Sequence, residues 1–191
     1  MRRRLNVIAA PGQLNRYAFR SMKNKLEFRD NWPAPNDYLL ELGRMTTIWG
    51  SLESLVTLAI SKFAGYPGVL DQRALIMVTD STFRQRVDII SSLCEWLIPE
   101  YPKLSGYKDV IAKIQRAQRL RNKFAHNSIV VDETGTVTVS RATARGSLKM
   151  TTEAITLDNI KQATAEIHEA MCALQTLVTG KELKPIWERQ A

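Results

Sequence analysis

The sequence contains few of the residues from which metal sites and disulfide frameworks are built. Its 191 residues include two cysteines and two histidines. Cys94 and Cys172 both occupy positions where helical periodicity favours a small apolar side chain, and together they form neither a ligand cluster nor a disulfide framework. We interpret both as core residues and expect no metal and no cofactor.

Long apolar runs are also absent. None approaches the roughly 18 residues that a membrane-spanning helix needs. The N-terminal sequence MRRRLNVIAAPG has a basic start, but its apolar stretch is too short for an export signal. With 45% hydrophobic and 24% charged residues, the chain can bury a core of its own. We therefore expect one cytoplasmic domain with an arm and no membrane partner.

Acidic residues are too few to balance the basic ones, and the imbalance is local. The net charge is +8. Residues 1–36 carry eight basic and two acidic side chains, residues 103–123 carry seven and one, and the rest of the chain is net acidic. Two basic zones on an otherwise acidic protein indicate a surface that faces a polyanion. A solvated helix face and a basic tail would give the same pattern.

Prolines and apolar periodicity divide the chain. The first 36 residues end in NWPAPN and are interpreted as a basic arm, with one short amphipathic helix near residues 14–22. Residues 37–180 are expected to form the helical domain and residues 181–191 a C-terminal tail. Within the domain, apolar residues three and four positions apart predict four principal helices and one short helix at LDQRALIMV.

Between the third principal helix and the last, the period changes. SIVVDETGTVTVSR alternates β-branched and polar residues around a D-E-T-G turn, and LKMTTEAITL has the composition of a further strand. The predicted fold is therefore mainly α: a bundle of four principal helices, with a small β-hairpin at about residues 128–157 inserted before the last helix.

Arg121 lies where its helix would place an apolar residue. On a wheel of about 100° per residue it falls about 20° from Ile114, inside the apolar arc of the third helix. A guanidinium buried there must be paired or bound to an anion, because it cannot release its proton. One interpretation is a salt bridge to a neighbouring helix, for which Glu53, at the border of the first helix's apolar stripe, is the nearest candidate.

His126 favours a second interpretation. Five residues on an ideal helix separate two side chains by about 140°, so Arg121 and His126 can meet only if the helix ends between them. The strand pattern that follows predicts such an end, and Asn127, which tolerates the left-handed backbone conformation, fits a helix terminus. His168, the other histidine, flanks the apolar stripe of the last helix and is interpreted as solvated surface.

The sequence RNKFAH, from Arg121 to His126, resembles the R-x4-6-H signature of HEPN domains, with the polar Asn122 after the arginine. The order of helices is similar too: a long first helix, the motif at the end of the third principal helix, and a closing helix after an insertion. The likeness covers roughly residues 37–180 in architecture, and only the six motif residues are specific. The hairpin is not assigned to every branch of the family, and the arm lies outside the resemblance.

Many HEPN domains are metal-independent endoribonucleases in which the motif acts across a symmetric dimer cleft. The resemblance implies that Arg121 holds the scissile phosphate and that His126 transfers a proton. Asn122 would orient the phosphate or the histidine. The RNA 2′-hydroxyl is the nucleophile in this chemistry, so the product ends in a 2′,3′-cyclic phosphate.

The partners that the resemblance implies are RNA and a second copy of the chain. Arg116, Arg119 and Lys123 would extend the positive cleft along the RNA backbone. One histidine per motif supplies both acid and base only if two chains face each other. Family members that are toxins or defence effectors add a cognate antitoxin or another protein as a partner. Other members keep the bundle as a non-catalytic module that binds RNA, a nucleotide or a protein, and that alternative stays open.

Overall fold

The computed structural model describes residues 28–144 and 146–189 of the chain. The chain divides into two compact units, residues 1–32 and residues 33–191. The amphipathic helix predicted near residues 14–22 lies outside the described residues. The elements that carry the candidate site all belong to the second unit.

The first helix of this unit, α1, spans Asn36–Ala64. Asp37 lies in its first turn, where a negative charge interacts favourably with the helix dipole. The helix ends at Ala64 and is capped by Gly65, where only glycine fits because a Cβ would lie 2.1 Å from the Val69 carbonyl oxygen. Its buried face repeats every three or four residues and includes Met45, Trp49, Leu52 and Val56.

Two helices follow, and both begin at side-chain caps. The short α2 spans Gln72–Val78, and α3 spans Phe83–Leu97. The Asp71 carboxylate accepts a hydrogen bond from the first turn of α2 at 2.9 Å. Thr82 and Gln85 form a reciprocal capping box at the start of α3. These caps satisfy backbone N–H groups that have no partner within the helix.

The fourth helix, α4, spans Tyr107–Ala125 and carries the candidate motif at its C-terminal end. Its apolar positions face the core of the same unit, as the periodicity predicts. The buried members of this face include Ile111, Ile114, Ala117 and Phe124.

An antiparallel sheet separates α4 from the last helix. Its strands are β1 (Ser128–Val131), β2 (Val137–Ala144) and β3 (Leu148–Ala154), in the order β1-β2-β3. In the first turn, Asp132 Oδ1 accepts hydrogen bonds from the backbone N–H groups two and four residues later, at 2.8 and 2.9 Å. Gly135 supplies the positive φ, 83°, that closes the turn.

The last helix, α5, spans Leu157–Thr179 and packs against both α1 and α4. Thr156 and Asn159 form its capping box, and Gly180 ends it with a φ of 69°. The prediction of a mainly α fold with a small β insertion is confirmed, and LKMTTEA supplies a third strand to the sheet. None of the described helices is both long and apolar enough to cross a bilayer.

Candidate functional site

The candidate site forms where α4 stops. His126 is the first residue beyond the helix, with φ −114° and ψ 3°, and its backbone N–H still donates to the Asn122 carbonyl at 3.4 Å. Asn127 closes the end with its side chain: Nδ2 donates to the Lys123 carbonyl at 2.7 Å. Asn127 thus lies at the helix terminus, as its residue type favours, but its backbone is not left-handed, since Asn31 is the only non-glycine residue with positive φ in the described ranges.

The end of the helix lets Arg121 and His126 meet. Arg121 Nη1 lies 2.5 Å from His126 Nε2, although a continued helix would hold the two side chains about 140° apart. A guanidinium can only donate, so the Nε2 atom is the acceptor and a proton on the ring belongs on Nδ1. Arg121 Nη1 also donates to Asn122 Oδ1 at 3.3 Å. All three predicted catalytic side chains therefore belong to one cluster.

The guanidinium of Arg121 rests on Trp49 of α1. Its Cζ lies 5.4 Å from the centroid of the indole ring, which is a cation–π distance, and Trp49 is 3% exposed. Among the described residues, no carboxylate oxygen lies within 4.0 Å of the Arg121 guanidinium. Arg121 is half-buried and positively charged, and Trp49 packs against its guanidinium. The N–H groups of Arg121 that do not donate to Asn122 or His126 are left for an external anion.

Glu53 is not the partner of Arg121, so the salt bridge considered from the sequence is wrong. Its Oε1 lies 3.9 Å from Nη2 of Arg86 on α3, and Arg86 also donates from Nη1 to Thr57 Oγ1 at 2.6 Å. Glu53 lies one helical turn beyond Trp49 on α1, and its side chain contacts α3 instead of α4. The helix wheel gave the border position of Glu53 correctly but could not say which helix it borders.

The three basic residues predicted to contact RNA have different surroundings. Arg116 forms an ion pair with Glu166 of α5, with Nη2 2.9 Å from Oε1. Lys123 pairs with Glu153 of β3 at 2.9 Å. Arg119 is exposed and forms no ion pair with the described residues. The positive charge along α4 is therefore partly neutralised by acidic residues that the fold brings to it.

His168 is buried and not solvated as expected, with 8% of its surface exposed. Its Nε2 accepts a hydrogen bond from the Ile186 backbone N–H at 3.0 Å, and its ring meets Trp187 edge-on with centroids 5.3 Å apart. Burial, together with the positive charge of Arg189, lowers the pKa of His168 below its ordinary value. Ile186 and Trp187 of the predicted tail pack against His168. Their contact explains why a side chain at the edge of the apolar stripe is buried.

Both cysteines are buried, as predicted, and burial raises the pKa of Cys94 to about 12. A thiol held in that state is not a nucleophile at neutral pH. The described residues include no group of three His, Cys, Asp or Glu side chains placed to hold a metal ion.

The role of Trp49 was missed at the sequence level, because a tryptophan in an apolar stripe looks like any core residue. Chemically, the cluster offers a guanidinium, an amide and an imidazole, a set that can bind an oxyanion and exchange a proton. Comparisons of the chain with family models, with curated proteins and with solved structures give no match in any of the three.

Proposed function

We propose that the protein is a metal-independent endoribonuclease of HEPN type that acts as a symmetric dimer. The observation that supports this proposal is the meeting of Arg121 and His126 beyond the end of α4, with no carboxylate of the described residues on the guanidinium. A guanidinium without a counterion beside an imidazole is suited to a phosphate whose neighbouring hydroxyl must lose a proton.

Cleavage needs one bond to form and one to break. The RNA 2′-hydroxyl oxygen attacks the adjacent phosphorus, its proton passes to a base, and the bond from phosphorus to the 5′ oxygen breaks. The products are a 2′,3′-cyclic phosphate and a 5′-hydroxyl, whose proton comes from an acid. Arg121 donates to the non-bridging oxygens, where negative charge grows in the transition state.

His126 is the base in this scheme. Its Nε2 accepts the hydrogen bond from Arg121, so the lone pair is present before the substrate binds. When a phosphate takes the Arg121 donors, Nε2 is released to accept the 2′-hydroxyl proton. The acid that protonates the 5′ oxygen is His126 of a second chain in its protonated form, whose Nε2 has taken up a proton from solvent after release from Arg121, and the base later returns its proton to solvent. This need for a second histidine is the chemical reason for a two-fold dimer. Asn122, through its contact with Arg121, orients the guanidinium.

RNA follows the exposed face of α4. Arg119, which has no ion-pair partner among the described residues, can contact a phosphate directly, whereas Arg116 and Lys123 must first release their carboxylate partners. The proposed setting is a toxin or defence effector in the cytoplasm, controlled by a cognate antitoxin or another protein partner. The hypothesis of a HEPN-like bundle rests on the helix order and on the position of the motif.

The experiment is incubation of the full chain with mixed RNA in EDTA. We expect 2′,3′-cyclic phosphate and 5′-hydroxyl ends, and a rate for His126→Ala that is lower by on the order of 10² to 10⁴. Arg119→Ala, a change on the same helix outside the cluster, is expected to weaken RNA binding while the chemistry persists. A fully active His126→Ala would attribute the cleavage to another site or to a contaminant and would exclude the mechanism.

A non-catalytic helical module is the second candidate. The observation that favours it is the same hydrogen bond, because Arg121 occupies the Nε2 atom that a base needs. Such a module would bind RNA, a nucleotide or a partner protein through Arg121 and leave it intact. Binding of RNA without cleavage by the wild-type chain would select this function.

A further inference from the structure

The strand β3 forms one edge of the sheet and is exposed along its whole length. All seven residues from Leu148 to Ala154 are exposed, the apolar ones included: Leu148 is 73% and Met150 74% exposed. β2 pairs with one edge of β3, and no strand of the described residues pairs with the other. A strand that buries so little gains little stabilisation from the core of its own chain.

The register of the sheet shows which backbone groups this outer edge presents. The Ile155 N–H donates to the Val137 carbonyl at 2.9 Å, so the odd-numbered residues of β3 direct their N–H and C=O groups at β2. The even-numbered residues, from Leu148 to Ala154, direct theirs outward, and these groups form no backbone hydrogen bond with the described residues. Such a row of unpaired donors and acceptors is a template for a further strand.

The charges of β3 fit a second copy of the same strand. Lys149, Thr151 and Glu153 share one face of β3, since they alternate along it. When two copies lie antiparallel about a two-fold axis at Thr151, Lys149 of each copy stands opposite Glu153 of the other. Lys149 has no ion-pair partner among the described residues. The Glu153 side chain binds Lys123 through Oε1 and is still 62% exposed. A lysine on an edge strand ordinarily discourages pairing, but in this arrangement a carboxylate faces it.

Other registers fail on the backbone or on the charges. A shift by one residue sets outward-directed backbone groups against residues whose groups point at β2, so the ladder does not form. A shift by two residues places Lys149 opposite Thr151 or Ile155 of the second copy, and the charge pair is lost. In the register about Thr151, even-numbered residues lie opposite one another, and each such pair exchanges two backbone hydrogen bonds.

We propose that the outer edge of β3 pairs with β3 of a second copy of the chain, antiparallel about Thr151, and joins the two sheets into one. The proposal does not depend on the ribonuclease function, since β3 contains none of the residues of the Arg121 cluster. One strand a side buries less than the roughly 1,200 Å² of a stable complex, so the Kd is on the order of 10⁻⁴ M. The edge contact therefore forms above the micromolar concentrations at which the ribonuclease dimer is expected.

The first test uses distances across the two-fold axis. The Cα atoms of the two copies of Thr151 would lie about 4.5 Å apart, within disulfide range, whereas those of Thr152 would lie about 9 Å apart, beyond it. The native Cys94 and Cys172 are buried and do not compete. Under mild oxidation of the full chain, we expect Thr151→Cys to form disulfide-linked dimers at least about tenfold faster than Thr152→Cys. Equal rates, or no cross-link at position 151, would overturn the proposed register.

The second test follows the mass of the full chain by sedimentation equilibrium between about 10 and 500 µM. We expect the wild-type mass to rise across this range, and less so in added salt, which screens the attraction between Lys149 and Glu153. Lys149→Glu sets like charges opposite each other on both sides of the axis and should weaken the association by about tenfold or more. Lys181→Glu makes the same change of net charge at an exposed residue beyond α5 and should associate like the wild type. A mass that does not rise with concentration, or a Lys149→Glu chain that associates like the wild type, would contradict the edge contact, whatever the activity on RNA.

Discussion

At the scale of single residues, two charges stand inside apolar stripes and have different surroundings. Arg121 lies against Trp49 with no carboxylate from the described part of the chain beside it, whereas Glu41 is buried with one oxygen bound to Arg44. Glu41 stands four residues before Met45, so the spacing that singles out Arg121 also singles out Glu41. A charge at an apolar position is thus a useful signal in this chain, although it does not reveal the counterion.

The stability of two arginine variants tests whether Arg121 is structural. We expect Arg121→Ala to lower the free energy of unfolding by less than about 2 kcal/mol, because it removes a cation–π contact and strands no carboxylate. Arg86→Ala should cost about 1–3 kcal/mol, since it leaves Glu53 and the Thr57 hydroxyl without their donor. Urea unfolding measures both.

The opposite order would contradict this account of Arg121. A loss of about 3 to 5 kcal/mol on Arg121→Ala is the size expected when a buried ion pair is broken. Such a loss would show that the guanidinium stabilises the fold, and it would contradict the proposal that Arg121 binds phosphate.

At the scale of elements, the C-terminal segment is held to α5 by His168 and by Thr176, whose Oγ1 accepts a hydrogen bond from the Leu183 backbone N–H at 2.9 Å. The Ile186 backbone N–H donates to His168 Nε2, and the Trp187 ring lies on the imidazole. Arg189, which lies close enough to lower the pKa of His168, belongs to the same segment, while Glu169 beside it on α5 acts in the opposite direction. The contact that His168 makes with this segment therefore requires a neutral imidazole, whereas the bond from Leu183 to Thr176 does not.

We expect acid to loosen the segment at Ile186 and Trp187 and to lower stability through His168. Its ordinary pKa is 6.5 and its folded pKa is lower, so the unfolded chain binds more protons in the interval between them. The contribution of His168 is complete above about pH 6.5 and is lost as the pH falls through the folded pKa. Urea unfolding of the wild type and of His168→Gln, with Trp187 fluorescence as a second signal, measures it.

His168→Gln is the informative comparison, because an amide oxygen can accept from the Ile186 N–H and does not titrate. Acid lowers the stability of both proteins through their carboxylates, so the difference between the two curves is the quantity of interest. That difference should shrink as the pH falls below about 6.5. Parallel curves across this interval would mean that His168 does not control the segment.

At the scale of the whole molecule, the fold brings acidic residues from other elements next to a basic zone of the sequence. The basic zone of residues 103–123 receives Glu166 from α5 and Glu153 from β3. The apolar neighbours of Arg121 on α4 are buried in the core of the same unit. A second chain is therefore not needed to cover these apolar residues, and the case for the ribonuclease dimer rests on the single histidine of the motif.

We expect the purified chain to form a two-fold dimer of about 43 kDa, twice the chain mass of 21.7 kDa. Two copies of Arg121 and Arg119 would face each other, so added salt should strengthen the dimer by screening their repulsion. Size-exclusion chromatography with light scattering at micromolar concentration, at low and moderate salt, measures the mass. A monomer under both conditions would remove the two-histidine mechanism.

The amino-acid sequence by itself determined the elements and the end of α4. Helices follow from apolar residues spaced three and four apart, the caps at Asp71 and Thr82 are local, and the sheet follows from alternation around Gly135. The meeting of Arg121 and His126 is also local, because it needs only a helix that stops between them. These features depend on residues that are close together in the chain.

Only the tertiary structure decided which faces meet. Glu53 pairs with Arg86, His168 is covered by the C-terminal segment, and Glu166 pairs with Arg116 across 50 residues of sequence. A helix wheel gives the direction of a side chain relative to its own axis but not the identity of the neighbouring helix. Contacts between distant residues are fixed by how whole elements pack, so counterions and the burial of single polar groups appear only in the folded chain.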